Sequence, residues 1–283
     1  GTRDLLASLS DAAGVDLIRH GTESDEETIK DTAVAQPLIV AAGLVAAAAL
    51  EADAAAPKST VVAGHSVGEV TAAAVTGVLS PAEALSLVRV RATGMARAAA
   101  ATPTGMAAVV GGDQDEVLAA IDAAGLTPAN VNGAGQIVAA GTAEALGALA
   151  ESAPARARVI PLKVAGAFHT EHMRPAVDDL AAHVAGLSPS DPRLPLLSNR
   201  DGEAVESGTD VLARIVDQVT RPVRWDLCMA TMATRQVTGV LELLPGGTLT
   251  GLAKRGLKGT AQLAVKTPED LDAARAFLAE HSA

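Results

Sequence analysis

The hexapeptide Gly64-His65-Ser66-Val67-Gly68-Glu69 is the strongest constraint in this chain. It follows a short apolar run, Val61-Val62-Ala63, that reads as a strand, and it opens an alanine-rich stretch that reads as a helix. A GxSxG pentapeptide in a strand-turn-helix setting is a nucleophile elbow, in which glycines flank a turn too sharp for a Cβ and the serine Oγ is lifted above the sheet. The elbow points to an α/β fold and makes Ser66 the candidate covalent nucleophile. The helix starting at Val67 is expected to aim free N–H groups, that of Val67 first, at an oxyanion formed on an acyl carbonyl. An ordinary βα turn in a Gly- and Ala-rich sequence is the competing reading.

Whatever surrounds the elbow must pack without aromatic bulk. The 283 residues include two Phe, one Trp and no Tyr, so the 49% hydrophobic content rests on Ala, Val and Leu, ample for one large domain or a large and a small one. No aromatic platform is left for stacking bases. A net charge of -11 further opposes a nucleic-acid partner, whose phosphates need clustered cations. The single cysteine, Cys228, excludes an internal disulfide and a cysteine-rich metal site and fits a cytoplasmic protein. The longest apolar stretch, 37–50, reads as a buried helix too short to cross a bilayer, no charged-then-apolar leader is present, and no membrane partner is expected.

Caps mark two helix starts. Ser80-Pro81-Ala82-Glu83 is a capping box with proline at the first helical position and predicts a helix from Pro81 toward Ala100, and Thr267-Pro268-Glu269-Asp270 repeats the logic for the last helix. From Thr104 to Gly166 the pattern shortens: 106–110 reads as a strand, 114–124 as a helix, 129–132 and 136–140 as strands, 142–150 as a helix and 158–164 as a strand. The order βαββαβ is that of a ferredoxin-like unit. It is expected to form a small subdomain, residues 104–165, inserted into a larger α/β subdomain of residues 1–103 and 166–283, with Pro103 and Gly166 near the crossings.

A serine needs a base within hydrogen-bonding reach. His20 in a polar stretch, His183 on an amphipathic helix and His281 near the end of the chain read as surface residues. His169 and His172 lie together in Gly166-Ala167-Phe168-His169-Thr170-Glu171-His172-Met173. A metal pair is the alternative there, but the HExxH spacing is absent and no cysteine helps. Neither a metal nor a redox cofactor is expected.

With Gln36-Pro37, the GHSVGE hexapeptide, Arg89-Val90-Arg91, Asn130-Val131-Asn132, Gly166-Ala167-Phe168-His169, the segment from Gln218 to Trp225 and Pro245-Gly246-Gly247 with Leu249, the chain resembles the malonyl-CoA:acyl-carrier-protein transacylases and the acyltransferase domains of polyketide synthases. The resemblance covers nearly the whole sequence and implies an α/β-hydrolase-like large subdomain with an inserted ferredoxin-like small one. It implies Ser66 as the acylated nucleophile, His169 as the general base, and Gln218 as the residue whose backbone carbonyl orients that base, so that a side-chain change at Gln218 would be mild. It implies Arg91 as the grip on the malonyl carboxylate, for which a guanidinium fork in a dry site suits. On helical pattern alone Arg91 would read as a surface residue like Arg89 and Arg97. Asn132 is implied to face the site, with a turn-forming Asn before Gly as its alternative. Phe168 resembles the ring that excludes an α-methyl group in malonyl-selective members, with a core Phe as its alternative, and His65 joins these residues in substrate binding. The family also begins with a strand and a GQGxQ turn that adds an oxyanion donor. No GQGxQ occurs in this chain, and a native N-terminal segment is expected ahead of Gly1.

The implied reaction is ping-pong transfer of a malonyl group from malonyl-CoA to the phosphopantetheine thiol of an acyl carrier protein, by a monomer, for fatty-acid or polyketide synthesis. A serine hydrolase or thioesterase competes, but its usual order of Ser, acid and late His leaves only His281. A catalytically weak carrier-binding module is the other alternative. Carrier proteins are commonly acidic, and Lys254, Arg255 and Lys258 form the densest basic candidate for meeting one, unless they only complement a helix dipole. Gly133-Ala134-Gly135 lacks the third glycine of a dinucleotide fingerprint, and Pro245-Gly246-Gly247 lacks the GK[ST] of a phosphate loop.

Overall fold

A computed structural model of the chain describes residues 2–50, 60–133 and 135–281. Its main core is built from small and aliphatic side chains, as the composition requires. Helix Thr32–Leu50 begins five residues before the apolar run expected to form it and holds Pro37 inside, at the cost of one intrahelical N–H. At 19 residues it is long and apolar enough to cross a membrane by length and composition, which corrects the expected shortness. In this fold its Val40, Ala41 and Leu44 join Leu85, Leu87 and Val88 of helix Pro81–Ala101 in the core. Close approach depends on small residues: a Cβ on Gly43 would lie 2.7 Å from Thr71 Cγ2 on helix Gly68–Val75.

Helix Pro81–Ala101 starts at its capping box, where the Glu83 carboxylate accepts from the Ser80 N–H at 2.8 Å and the Ser80 Oγ accepts from the Glu83 N–H at 3.3 Å. Its 21 residues place Arg91 at the middle of a helix that is buried along one side. Thr267 opens a 3-10 turn, Pro268–Asp270, before the final helix Leu271–Glu280.

The described residues form nine strands: β1 (Thr104–Gly111), β2 (Thr127–Gly133), β3 (Gln136–Thr142), β4 (Ala157–Pro161), β5 (Leu196–Leu197), β6 (Ala204–Val205), β7 (Val223–Arg224), β8 (Gly239–Glu242) and β9 (Ala261–Ala264). Helix Gln114–Ala123 links β1 to β2, and helix Ala143–Glu151 links β3 to β4. The five-stranded sheet has the order β4-β1-β3-β2-β7. Its β1, β2, β3 and β4 pair antiparallel, whereas β7 runs parallel to β2 through Asn130 opposite Val223 and Val131 opposite Arg224. The sheet therefore recruits a strand from outside 104–165. Val109, Val117, Ile121, Val131, Ile137 and Leu149 pack together between the sheet and its two helices.

β4 stops at Pro161, three residues short of the expected end, and one last bond to β1 follows it, from the Leu162 N–H to the Met106 carbonyl at 2.9 Å. The chain then turns back. A Cβ on Gly166 would meet the Ala99 Cβ at 2.7 Å, and the Ala167 N–H donates to Thr104 Oγ1 at 3.0 Å, so the strands of chain entering and leaving this segment lie side by side. The run Val61-Val62-Ala63 makes one parallel bridge, Val62 to Leu196, rather than a strand. On its other side a cleft of about 700 Å³ separates it from β8.

Candidate active site

Ser66 sits at φ 53, the left-handed conformation that a nucleophile elbow demands and that a non-glycine residue rarely adopts. Gly64 makes the turn possible, since a Cβ there would lie 2.0 Å from the Gly68 backbone. The expectation that both glycines are sterically required is corrected at Gly68, where a Cβ would have no neighbour within 4 Å. Asn199 holds the elbow from behind: its Oδ1 accepts from the Ser66 N–H at 2.8 Å, and its Nδ2 donates to the Gly64 carbonyl at 2.7 Å. The N–H groups of Gly68, Glu69 and Val70 donate to the carbonyls of His65, Ser66 and Val67 at 2.9, 3.0 and 3.1 Å. These contacts correct the expectation of several free donors at the helix start and leave the Val67 N–H.

The Ser66 Oγ lies 2.7 Å from His169 Nε2, and His169 Nδ1 donates to the Gln218 backbone carbonyl at 2.8 Å. That second bond fixes the tautomer, leaving the Nε2 lone pair toward the hydroxyl. His169 is itself at φ 60, and its turn is pinned by Thr170 Oγ1 donating to the Ala167 carbonyl at 2.7 Å. Burial, reinforced by the Arg91 charge, lowers the imidazole pKa to about 3, so it is neutral at physiological pH.

Arg91 is 1% exposed. Its Nη1 donates to Gln36 Oε1 at 2.5 Å, and its Nη2 donates to Gln218 Oε1 at 2.7 Å and to Ser66 Oγ at 3.3 Å. Burial lowers its pKa to about 10, against the opposing pull of Glu69, so it remains a cation. The Gln218 side chain does more than the sequence suggested. Its Nε2 donates to the Ser66 carbonyl at 3.1 Å, to Asn199 Oδ1 at 3.3 Å and to Glu69 Oε2, so the expectation that its substitution would be mild is corrected. A neutral imidazole and a buried guanidinium thus meet at the Ser66 hydroxyl oxygen, the combination of groups that acyl transfer from an anionic acyl group uses.

Comparison with known proteins agrees. Residues 6–281 match the acyl transferase domain family. The chain is 52% identical over 273 residues to the malonyl CoA-acyl carrier protein transacylase of Mycobacterium bovis, covering 96% of this chain and 90% of that protein. It belongs to the malonyl-CoA:acyl-carrier-protein transacylase family. The Escherichia coli K12 member is 32% identical over 278 residues, 96% of this chain and 89% of that protein. The crystal structure of the Mycobacterium tuberculosis transacylase superposes with a TM-score of 0.93 at 51% identity, covering 97% and 91% of the two chains. A malonyl-transacylase solved in complex with its type II polyketide acyl-carrier protein gives 0.90 at 29% identity, again over 97% and 91%.

Around this transacylase centre, His65 and Asn132 tie the elbow to the five-stranded sheet. His65 Nε2 donates to Asn132 Oδ1 at 2.8 Å, Asn132 Nδ2 donates to Gln136 Oε1 at 3.0 Å, and the His65 ring tilts against Trp225 with centroids 5.6 Å apart. Burial lowers the His65 pKa despite the Asn132 bond. Asn132 is therefore a buried pairing residue rather than a turn former. Phe168 is half-buried and packs against both the main core and the group around Met106 and Val138. The cleft of about 700 Å³ reaches the site through His65, Val67, Asn132 and Trp225.

His172 is exposed on the turn Glu171–Ala176, and His20, His183 and His281 contact Ser24, Ser86 and Thr238, all away from Ser66. No metal-binding cluster of His, Cys, Asp and Glu occurs among the described residues. The Pro245-Gly246-Gly247 segment serves a carboxylate of the chain itself: Glu242 accepts from the N–H groups of Gly247, Leu249 and Thr250 at 2.8 Å each. Gly133 ends β2, where it pairs with Gln136, Gly135 immediately precedes β3, and Ala134 is outside the described residues. Asn199, Glu69 and the Gln36 side chain are the site residues that sequence reasoning left without a role.

Proposed function

We propose that this chain is a malonyl-CoA:acyl-carrier-protein S-malonyltransferase that works through a malonyl ester on Ser66, and the observation that carries the reading is the Ser66 Oγ held 2.7 Å from His169 Nε2 and 3.3 Å from Arg91 Nη2. In the first half-reaction Oγ attacks the thioester carbonyl as His169 Nε2 takes its proton, and the Val67 N–H faces the developing oxyanion. The intermediate collapses, the C–S bond breaks, and CoA leaves as the thiol with the proton from His169. In the second, the phosphopantetheine thiol of the carrier protein gives its proton to His169 and attacks the ester, and Oγ leaves with that proton. Arg91 pairs with the malonyl carboxylate, whose oxygens replace the long Ser66 contact as the natural acceptor for Nη2. Phe168 limits the space beside the α-carbon, and His65 with Asn132 borders the substrate. No metal or redox group takes part.

In this reading residues 1–103 and 166–283 form an α/β-hydrolase-like large subdomain and residues 104–165 a ferredoxin-like small one, for which the β4-β1-β3-β2 order is the support. Lys254 and Arg255, exposed on helix Thr248–Gly256, and Lys258 just beyond it offer the acidic carrier protein a basic surface, and the enzyme is a cytoplasmic monomer. Intact-mass analysis after brief exposure to malonyl-CoA tests the reaction. The expected result is one malonyl adduct in the wild type, none in Ser66→Ala, and discharge of the adduct on adding holo carrier protein. Rapid CoA release with no adduct would make the protein a hydrolase, and an inert wild type would make it a binding module.

A further inference from the structure

Glu69 lies behind the elbow, out of reach of the proposed chemistry. It is 6% exposed, its Oε1 accepts from the Asn199 N–H at 2.6 Å, and its Oε2 accepts from Gln218 Nε2. Gln218 Oε1 in turn accepts from Arg91 Nη2 at 2.7 Å. A primary amide thus stands between a carboxylate and a guanidinium, and only one of its two orientations satisfies both: NH2 toward the acceptor, oxygen toward the donor. Burying a carboxylate is costly, and here burial raises its pKa to about 7 while the Asn199, Gln218, Arg91 and Arg214 groups pull it back. Nothing in the elbow itself requires an acid at this position, because Asn199 already holds the Ser66 N–H and the Gly64 carbonyl.

We propose that Glu69 is the positioning residue for malonyl recognition: it locks the Gln218 amide in the orientation that presents Oε1 to Arg91 and so aims the guanidinium at the acyl group on Ser66. The proposal rests on the reading of Arg91 as the partner of the malonyl carboxylate. Its chemistry is specific. In Glu69→Gln the Asn199 N–H still claims the side-chain oxygen at position 69, so the new NH2 faces the Gln218 NH2. Relief comes from a flip of Gln218, which gives up the longer bonds from its Nε2 to the Ser66 carbonyl and Asn199 Oδ1 and turns its NH2 against Arg91 Nη2. The isosteric change leaves the volume of the site intact and spoils the alignment of one cation.

The test is a double-mutant cycle on the malonyl-to-acetyl ratio of kcat/KM for acylation, measured with malonyl-CoA and acetyl-CoA. A hydrogen bond to a charged group sets the scale, so the ratio is expected to fall roughly 10- to 100-fold in Glu69→Gln. In the Arg91→Ala background the same change should alter the ratio less than about twofold, because the group it positions is gone. An unchanged ratio in Glu69→Gln, or an equal further fall in the Arg91→Ala background, would overturn the proposal and leave Glu69 a brace of the elbow. Gln218→Met removes the amide through which Glu69 acts while keeping the backbone carbonyl on His169, so an unchanged ratio in that variant refutes the link even if Glu69→Gln does not fold. Arg91→Ala alone reports on the underlying reading, since an unchanged ratio there defeats the Arg91 assignment whatever Glu69 does.

Discussion

Removing the imidazole of His169 should separate acylation from every other property of the protein. In the structure Nε2 is 2.7 Å from Ser66 Oγ, and the Nδ1 bond of 2.8 Å to the Gln218 carbonyl leaves Nε2 as the acceptor. General-base assistance of this kind is worth about 100- to 10,000-fold, so His169→Ala should slow malonylation by that factor. Because burial lowers the imidazole pKa to about 3, the wild-type acylation rate should show no acid limb centred near the ordinary histidine value. In the variant, hydroxide becomes the base and the residual rate should climb about tenfold per pH unit. The variant also takes one of two donors from the Gln218 carbonyl, which keeps the Arg221 N–H at 3.2 Å, at about 0.5 to 1.5 kcal/mol of stability, so a thermal melt must accompany the kinetics. The assay is rapid-quench intact mass at single turnover from pH 5 to 9. A His169→Ala enzyme within tenfold of wild type and with the same pH profile would refute the assignment, and a wild-type limb near the ordinary value would refute the neutral buried imidazole.

Arg91→Ala should lose malonyl acylation by about 2 to 5 kcal/mol, the cost of leaving one buried charge without its partner, while acetyl acylation changes far less; kcat/KM for the two thioesters measures it, and equal losses would return Arg91 to a structural role. Asn199→Leu should cost roughly 2 to 4 kcal/mol of stability, by orphaning the partly buried Ser66 N–H and the buried Gly64 carbonyl, read as a shift in urea midpoint; a melt identical to wild type would show that the elbow holds itself. Stability should also depend on pH through His169. Its folded pKa is depressed, so its contribution is complete above about 6.5 and is lost as pH falls toward about 3. Relative to wild type, His169→Gln should gain roughly 3 kcal/mol between pH 6.5 and 4, and a constant difference between the two melts would contradict the depressed value. Glu69 has the opposite sign: its raised pKa penalises the fold as pH rises from 4.5 through about 7, so Glu69→Gln should gain on wild type over that interval.

Local signals account for much of what could be read in advance. The two proline-containing caps located the helix start at Pro81 and, at Pro268, the 3-10 turn that leads into the last helix at Leu271, because a cap is a property of four consecutive residues. The short segments between Thr104 and Thr142 likewise correspond to β1, β2 and β3 within two residues or so, since each is a brief run buried on both faces of the sheet, with Val109, Val131 and Ile137 on one side and Met106, Ala129 and Val138 on the other. β7 was invisible. Two residues, Val223 and Arg224, carry no period, and their pairing with β2 is a contact across about ninety positions. The same limit hid Asn199, whose side chain reaches Ser66 over 133 residues. Glu69 was hidden differently, because an acid in the first turn of a helix is ordinary wherever a dipole needs complementing, and its burial and its contacts with Asn199 and Gln218, 130 and 149 residues away, are what distinguish it. The Gln218 side chain carries no local signal either, since its partners Arg91, Glu69 and Ser66 lie 127, 149 and 152 residues away.

The parallel pairing of β2 with β7 bears on how far this protein can be taken apart. Residues 104–165 look like a cassette, entered and left at neighbouring points. Yet the backbone of Asn130 and Val131 is completed by Val223 and Arg224, five and six residues beyond the carbonyl that orients His169. An exchange of 104–165 between relatives would leave the fifth strand with the recipient, and the foreign β2 would have to match an edge it did not evolve beside. Chimaeras that move 218–225 together with the cassette preserve that seam, and with it the pairing of β2 beside the Gln218 carbonyl that holds His169. The junction for recombination therefore follows the sheet and not the chain.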